Sequence, residues 1–259
     1  MATTIRAYTL DAFISDYLPA QRPARGIRAT VLHHTWRPAA ADYRGLATIQ
    51  AIQRYHMGAP NNWSDIGANA YAAPDGLVYN GRPLSDGNYA HAYISRPWEQ
   101  VPADLRALAA GNRQFLNYCG FGVETIGDFD TEPIEPIPPA LDTALHVLAA
   151  VHRQYDLGPE RLFLHRDAAA KSCPGARISR QWARRELTLR METGAPTEPP
   201  LLIVRLPGST VVDCRPELVD GVTRCDLRPL AEALGWEVIA DHLTTQNKVY
   251  LRRPEAQHD

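Results

Sequence analysis

The chain has 259 residues, and at about 100–200 residues per domain this length predicts one large domain and one small one. Hydrophobic residues make up 45% and charged residues 22%, which is ordinary globular usage and excludes a collagen-like or disordered chain. The net charge of −2 excludes a strongly basic surface, so neither nucleic acid nor acidic lipid is an expected partner. Four cysteines in this length do not support a disulfide framework.

The first 18 residues show no secretory segment. They alternate polar and apolar side chains, and Asp11 and Asp16 interrupt the stretch where a signal peptide needs a continuous apolar core. No apolar run approaches the roughly 20 residues that a membrane-spanning helix requires. We therefore expect synthesis in the cytoplasm, with no membrane anchor.

The first 193 residues alternate short apolar runs, typical of buried strands, with stretches that have apolar residues at helical spacing. The predicted strands are 27–33, a hairpin over 69–79 with its turn at 74–76, 121–126 and 161–165. The predicted helices are 42–57, 104–118, 140–155 and 178–191. This order of elements predicts an α/β domain.

A second, smaller module is predicted after a proline-rich stretch at 194–200, which has the composition of a linker. We expect strands at 202–206 and 248–251, a hairpin between 211 and 225, and a short helix over 226–234. The predicted organisation is therefore a domain over 1–193, a linker, and a small α+β module over 201–259.

Two histidines and one cysteine are candidate metal ligands. His33 ends a predicted strand, as does His165, and Cys173 follows His165 with seven residues between them. Zinc accepts imidazole nitrogen and thiolate sulfur together, and three protein ligands leave a fourth position open, as catalytic zinc sites do. Alternatives to metal binding remain at this point. The histidines could be exposed or hydrogen-bonded within the protein, and Cys173 could be a small buried residue without a chemical role. A nearby cation, Lys171, favours the thiolate form of Cys173.

Glu124 is a candidate general base because it interrupts the otherwise apolar run at 121–126. A carboxylate in such a strand is costly unless it is paired or faces a cleft. Its alternatives are a partly exposed strand residue and a structural ion pair with an arginine. In a cleft beside a metal, it could accept a proton from an attacking water.

Six sequence blocks carry a family resemblance. They are VLHHT (31–35), IQRYHM (52–57), WSDIGANAYAAPDGLVYNGRP (63–83), AHA (90–92), GFGVETIG (120–127) and HRDAAAKSCPG (165–175). In this order and spacing they resemble the zinc-dependent N-acetylmuramoyl-L-alanine amidases of type 2, a class that includes phage lysozyme-type amidases and peptidoglycan recognition proteins. The resemblance covers about residues 25–190 and implies a mixed central β-sheet flanked by helices.

The resemblance also implies roles for individual residues. His33, the first histidine of its pair, matches a zinc ligand, as do His165 and Cys173. Lys171 matches a lysine that stabilises negative charge at the scissile carbonyl. Glu124 matches the catalytic glutamate of the branch that includes cytoplasmic muropeptide amidases. Four further residues are expected to contact the substrate: His34, His91, Asn69 and Trp63.

Two positions depart from the family pattern. Ala68 occupies the place of a tyrosine that assists the reacting water in many members, and together with Glu124 it indicates a variant of the mechanism. We do not expect Tyr71 to substitute, because three residues along a strand it would point to the opposite face. The stretch from His91 to Gly120, which includes Trp98, is longer than the family minimum and forms either a groove wall or an inert insertion.

The implied function is a peptidoglycan hydrolase that cleaves the amide between N-acetylmuramic acid and L-alanine through a zinc-activated water. Such an enzyme would be a bacteriolytic phage endolysin, acting on the wall after release, or a bacterial autolysin. The alternatives are a non-catalytic peptidoglycan-binding protein and a cytoplasmic muropeptide-recycling amidase. The C-terminal module loosely resembles stalk-like domains similar to the N-terminal part of copper amine oxidases, and it could bind cell wall. Its His242 and His258 are expected at the surface.

Overall fold

The computed structural model describes residues 2–193 in full and, beyond them, the backbone of six short strands between residues 202 and 252. The chain divides into two compact units, Met1–Ala195 and Pro196–Asp259. Within the described residues, no helix is both long enough and apolar enough to cross a bilayer.

The first unit is built on one mixed six-stranded sheet. Its strands are β1 (Ala7–Tyr8), β2 (Ala29–His34), β3 (Ala70–Ala72), β4 (Val78–Asn80), β5 (Gly120–Thr125) and β6 (Leu162–Leu164). They lie in the order β1-β4-β3-β5-β2-β6. The central strands β3, β5, β2 and β6 are mutually parallel, whereas β4 is antiparallel to both β3 and β1.

Helices flank this sheet, which confirms the predicted fold class. In chain order they are α1 (Leu10–Ala12), α2 (Leu18–Ala20), α3 (Leu46–Met57), α4 (Ala103–Ala109), α5 (Phe115–Cys119), α6 (Pro139–Gln154), α7 (His165–Ala168) and α8 (Arg180–Thr193). A π-helical turn, Phe13–Tyr17, joins α1 to α2. The long helix α6 is buried along most of its length, because it packs on the sheet on one side and on α8 on the other.

The strands β2 and β5 are buried on both faces, and apart from Thr30 they are apolar until their last residues. Leu32 and Val123 belong to the hydrophobic core that includes α6, whereas Val31 belongs to a separate core on the opposite face. Since side chains alternate along a strand, His33 and Glu124 share the face of Val31. In the β2–β5 register His33 lies opposite Glu124, so both reach the same level of the sheet.

The predicted helix over 104–118 is wrong in one respect, because two shorter helices, α4 and α5, occupy this stretch. Ala110 and Gly111 separate them with left-handed backbone at φ 46° and 85°. Leu105 and Phe115 pack with Val31 in one core. The long stretch between His91 and Gly120 therefore packs in large part against one face of the sheet. The sequence also gave no indication of β1 or of the helical segment that follows it.

The second unit contains six strands in three antiparallel pairs. They are β7 (Leu202–Arg205), β8 (Val211–Cys214), β9 (Pro216–Val219), β10 (Val222–Cys225), β11 (Glu237–Ala240) and β12 (Val249–Arg252). The pairs are β7 with β8, β9 with β10, and β11 with β12. The predicted linker, the helix over 226–234, His242 and His258 lie outside the described residues. The roles assigned to the two domains remain predictions.

Candidate functional site

The three candidate metal ligands converge at the carboxyl end of the central strands. His33 Nδ1 lies 3.1 Å from His165 Nδ1 and 3.7 Å from Cys173 Sγ. All three side chains are buried, and their ligand atoms lie within 4.8 Å of one another. His33 is the last residue but one of β2, and His165 directly follows the neighbouring strand β6, so the parallel pairing of β2 and β6 places both imidazoles at one edge.

Burial sets the protonation of these ligands. It holds the pKa of His33 well below its usual value, with the neighbouring His165 acting in the same direction, so His33 is neutral at pH 7. Burial likewise holds the pKa of His165 well below its usual value. The pKa of the Cys173 thiol is raised, because burial outweighs the lowering effect of Lys171. Lys171 alone is therefore not sufficient to keep Cys173 as a thiolate. A bound metal cation would have to displace the proton from the thiol.

The donor set fits zinc. A tetrahedral zinc with bonds of about 2.0–2.3 Å separates its nitrogen and sulfur ligands by roughly 3.3–3.6 Å, close to the two distances above. His33 Nε2 lies 2.9 Å from the carbonyl oxygen of Ala90, an interaction of the kind that orients metal-binding imidazoles. The backbone N–H of His34 donates to Cys173 Sγ at 3.4 Å, which would stabilise a thiolate.

Glu124 lies beside these ligands. Its side chain is buried, and its Oε2 has no hydrogen-bond partner within residues 2–193. The nearest cationic candidate is His91, whose Nδ1 is 3.7 Å from Glu124 Oε2 and is also without a partner in that part of the chain. The ring of His91 stacks on that of His33 at 5.4 Å. A buried carboxylate oxygen without a donor is costly, so it indicates a place for a group that the protein itself does not supply.

The loop that carries Lys171 and Cys173 is held from two sides. Asp130 accepts hydrogen bonds from the Ser172 hydroxyl and the Ala176 backbone N–H, both at 2.7 Å. Arg166 donates to the carbonyl oxygens of Ser172 and Gly175. These bonds fix Cys173 in the interior while Lys171 remains exposed.

A groove of about 910 Å³ opens over this centre. The ligands, His34, His91, Glu124 and Lys171 lie along it, and helix α3 contributes one wall through Ile52, Tyr55 and His56. The exposed aromatic side chains of Trp36 (57%) and Tyr55 (65%) also line it. The site therefore combines a buried group of candidate metal ligands with an open groove lined by exposed aromatic side chains.

The family model described as N-acetylmuramoyl-L-alanine amidase matches residues 22–176. This range contains all three candidate ligands, Glu124 and Lys171. The chain belongs to this amidase family.

The chain is also similar to individual peptidoglycan-recognition proteins. Peptidoglycan-recognition protein SC1a of Drosophila melanogaster is 28% identical over 154 residues, which cover 57% of this chain and 68% of that protein. Drosophila PGRP-LB, in a mutant form in complex with tracheal cytotoxin, is 26% identical, with 60% and 79% of the two chains covered and a TM-score of 0.44. Bumblebee PGRP-SA is 22% identical, with 62% and 83% covered and a TM-score of 0.45.

Three of the four residues expected to contact substrate line the groove over the candidate ligands: His34, His91 and Trp63. Trp63 stacks on His56 at 4.7 Å, and His34 Nδ1 accepts the backbone N–H of Phe129. Asn69 is not part of the groove lining. It is buried, and its side chain is fully engaged with backbone groups, so its placement does not fit substrate contact.

Tyr71 pairs with Glu124 in the register of β3 and β5, so the two side chains share a face of the sheet. The expectation that Tyr71 faces away from the position of Ala68 assumed one continuous strand, but β3 begins at Ala70, after Ala68. The Tyr71 hydroxyl is nevertheless buried and accepts the backbone N–H of Ala68, so it does not reach the groove.

Sequence reasoning also missed the exposed aromatic residues Trp36 and Tyr55. Their signal was an aromatic side chain two residues after the histidine pair and another on the polar side of α3.

Proposed function

We propose that this protein is a zinc-dependent amidase that hydrolyses the bond between N-acetylmuramic acid and the L-alanine of the stem peptide in peptidoglycan. One observation carries the proposal, namely the convergence of three buried His and Cys donor atoms beside the unpartnered carboxylate oxygen of Glu124. The family match supports it, and so do the names of the relatives, which are peptidoglycan-recognition proteins.

His33, His165 and Cys173 would hold the zinc. Bound there, zinc would supply a Lewis acid that polarises water and the substrate carbonyl. The two histidines are suited to this role because burial keeps them neutral, and Cys173 is suited because a backbone N–H points at its sulfur. The open groove leaves space for substrate on the remaining side.

Glu124 is the residue that moves the proton. Its free Oε2 accepts a proton from the attacking water and then delivers it to the leaving nitrogen of L-alanine. His91 Nδ1 lies 3.7 Å from this oxygen. The exposed ammonium of Lys171 lies at the groove and stabilises the negative charge that develops on the carbonyl oxygen. Trp63 and the exposed rings of Trp36 and Tyr55 provide flat surfaces for the rest of the substrate.

The test is digestion of purified sacculi by the zinc-loaded full chain, followed by mass spectrometry. New L-alanine amino termini are expected, whereas new reducing sugar ends would indicate a glycosidase and contradict the proposal. Binding to sacculi without any cleavage would identify a non-catalytic recognition protein instead. A comparison of intact sacculi with soluble muropeptides separates a wall-lytic enzyme, such as an endolysin or autolysin, from a recycling enzyme.

The role of Glu124 is tested by Glu124→Gln, which should lower kcat by about 10²–10⁴ while zinc content stays at the wild-type level. Glu186→Gln is the matched control, because Glu186 is also buried but lies on α8 in ion pairs with Arg185 and Arg190. A Glu124→Gln enzyme that kept near-wild-type turnover would refute the assignment of the base.

A further inference from the structure

The segment from Asn88 to His91 has an unusual backbone. Asn88, Tyr89 and His91 have φ values of 78°, 34° and 59°, in the left-handed region that residues with a side chain rarely adopt. Such conformations persist only where the surrounding structure enforces them, and they cluster at functional sites. The segment passes directly over the zinc centre, since His91 stacks on His33.

The segment is held by the amide nitrogen of Asn88, which donates to the carbonyl oxygens of Arg25 and Tyr118, and by the side chain of Asn69. Of these two side chains, only Asn69 also bonds to the strand that carries Glu124. Its amide nitrogen donates to the carbonyl oxygens of Asn88 and, at 3.1 Å, of Arg82. Its amide oxygen accepts the backbone N–H of Gly122, on β5, at 2.8 Å. Asn69 therefore ties the strained segment to the strand that carries Glu124.

The consequence of this restraint is the position of one carbonyl group. Ala90 lies against Gly122 so closely that a Cβ on that glycine would sit 2.4 Å from the Ala90 oxygen. In this position the Ala90 oxygen is 2.9 Å from His33 Nε2. A carbonyl oxygen can only accept, so His33 must carry its proton on Nε2. The lone pair of His33 Nδ1 is then free on the side where His165 and Cys173 lie.

We propose that Asn69 is a positioning residue for the zinc ligand His33: by holding the 88–91 segment, it places the Ala90 carbonyl that fixes the tautomer and ring plane of His33. This inference rests on the zinc site of the proposed function. The proposed role of Asn69 is therefore to position a metal ligand, whereas its buried side chain does not allow contact with a substrate.

The first test is titration of the metal-free full chain with Co²⁺, followed by the visible ligand-field spectrum. Asn69→Asp keeps the size of the side chain but turns an oxygen toward the Asn88 and Arg82 carbonyls. We expect at least about tenfold weaker Co²⁺ binding and an altered spectrum, as is typical when the partner of a metal-binding histidine is lost. Asn69→Ala, which removes the donor and adds no charge, is measured as well in case the first variant fails to fold.

Asn80→Asp is the matched control. Asn80 is buried, its amide nitrogen donates to the Thr4 carbonyl, and its oxygen accepts the Arg6 backbone N–H, but these contacts join β4 to the segment before β1. The control should bind Co²⁺ as the wild type does even if it is less stable. A folded Asn69 variant with wild-type affinity and spectrum would overturn the inference.

A second measurement needs no substitution. Long-range ¹H–¹⁵N correlation spectra of the metal-free wild type report which ring nitrogen of His33 carries the proton, and we expect Nε2. A proton on Nδ1 would overturn the inference whatever the variants do. If the wild type failed to bind Co²⁺, the proposed zinc site would be refuted, while the spectrum would still decide the role of the Ala90 carbonyl.

Discussion

The stability of the first unit should fall in mild acid because of one buried histidine, His152. Its ring is fully buried on α6, with Nε2 2.7 Å from the Thr30 hydroxyl and Nδ1 3.2 Å from the Leu157 carbonyl. The carbonyl can only accept, so Nδ1 carries the proton and Nε2 accepts from Thr30. This arrangement satisfies the neutral imidazole completely, and a second ring proton would require the Thr30 hydroxyl to turn its own hydrogen away from Nε2.

The size of the effect follows from the pKa. Burial lowers the pKa of His152 from its usual 6.5 to about 4. The unfolded chain takes up the proton near pH 6.5 and the folded protein only near pH 4, so acid favours the unfolded state between these values. The contribution of His152 is therefore intact above pH 6.5, and about 2 kcal/mol of unfolding free energy is lost between pH 7 and pH 5.

The assay is urea unfolding of the full chain at pH 7, 6 and 5, with a chelator present so that loss of metal does not contribute. His152→Gln keeps one donor and one acceptor but does not titrate, so between pH 7 and pH 5 it should lose about 2 kcal/mol less than the wild type. Other buried histidines, such as His56 with a pKa lowered to about 3 by burial, titrate in both proteins and cancel. Equal losses in the two proteins would refute the reasoning.

His146→Gln is the matched control on the same helix. Burial lowers the pKa of His146 as well, but the Asp142 carboxylate, 3.8 Å away, acts in the opposite direction. This variant should therefore change the pH dependence less than His152→Gln does.

Three further predictions concern the metal-binding loop. Zinc at about 1,000 times its Kd should stabilise the wild type by about 4 kcal/mol in thermal unfolding, whereas Cys173→Ala should show almost none of this response. Lys171→Ala should lower kcat on sacculi by about 10²–10³ with little change in KM, and Lys171→Arg should recover part of this loss. An unchanged kcat in Lys171→Ala would show that the charge has no catalytic role. Gly175→Ala should destabilise the fold by about 1–3 kcal/mol in urea, because Gly175 has φ 113° and a Cβ there would sit 2.4 Å from the Phe129 carbonyl carbon. A smaller loss would mean that the loop can relax.

The sequence was sufficient to predict the central strands and the residues at their ends. A strand that is buried on both faces is almost entirely apolar in sequence, so a polar residue within or next to it is easily recognised. His33, Glu124 and His165 are polar residues of this kind. Cys173 was predicted because polar residues surround it. Parallel pairing then brings these residues together, since parallel strands end at the same edge of the sheet.

Other features had weaker signals. The break between α4 and α5 depends on Ala110 in a left-handed conformation, which alanine rarely adopts and which no pattern of apolar residues indicates. β1 has only two residues, and its pairing with β4 is a tertiary contact. The protonation of Cys173 was also misjudged, because a nearby lysine is visible in the sequence whereas the depth of burial is not.

Asn69 illustrates a limit of a different kind. In sequence, an asparagine within a motif block looks the same whether it faces a substrate or holds a turn, and the family resemblance favoured the substrate. In the structure its three hydrogen bonds all go to backbone groups, and the group it positions for His33 is itself a backbone carbonyl, that of Ala90. Every residue has such a carbonyl, so no residue type marks it. The side chains that bind a metal can therefore be predicted from sequence, whereas the backbone groups that orient them become visible only in the folded chain.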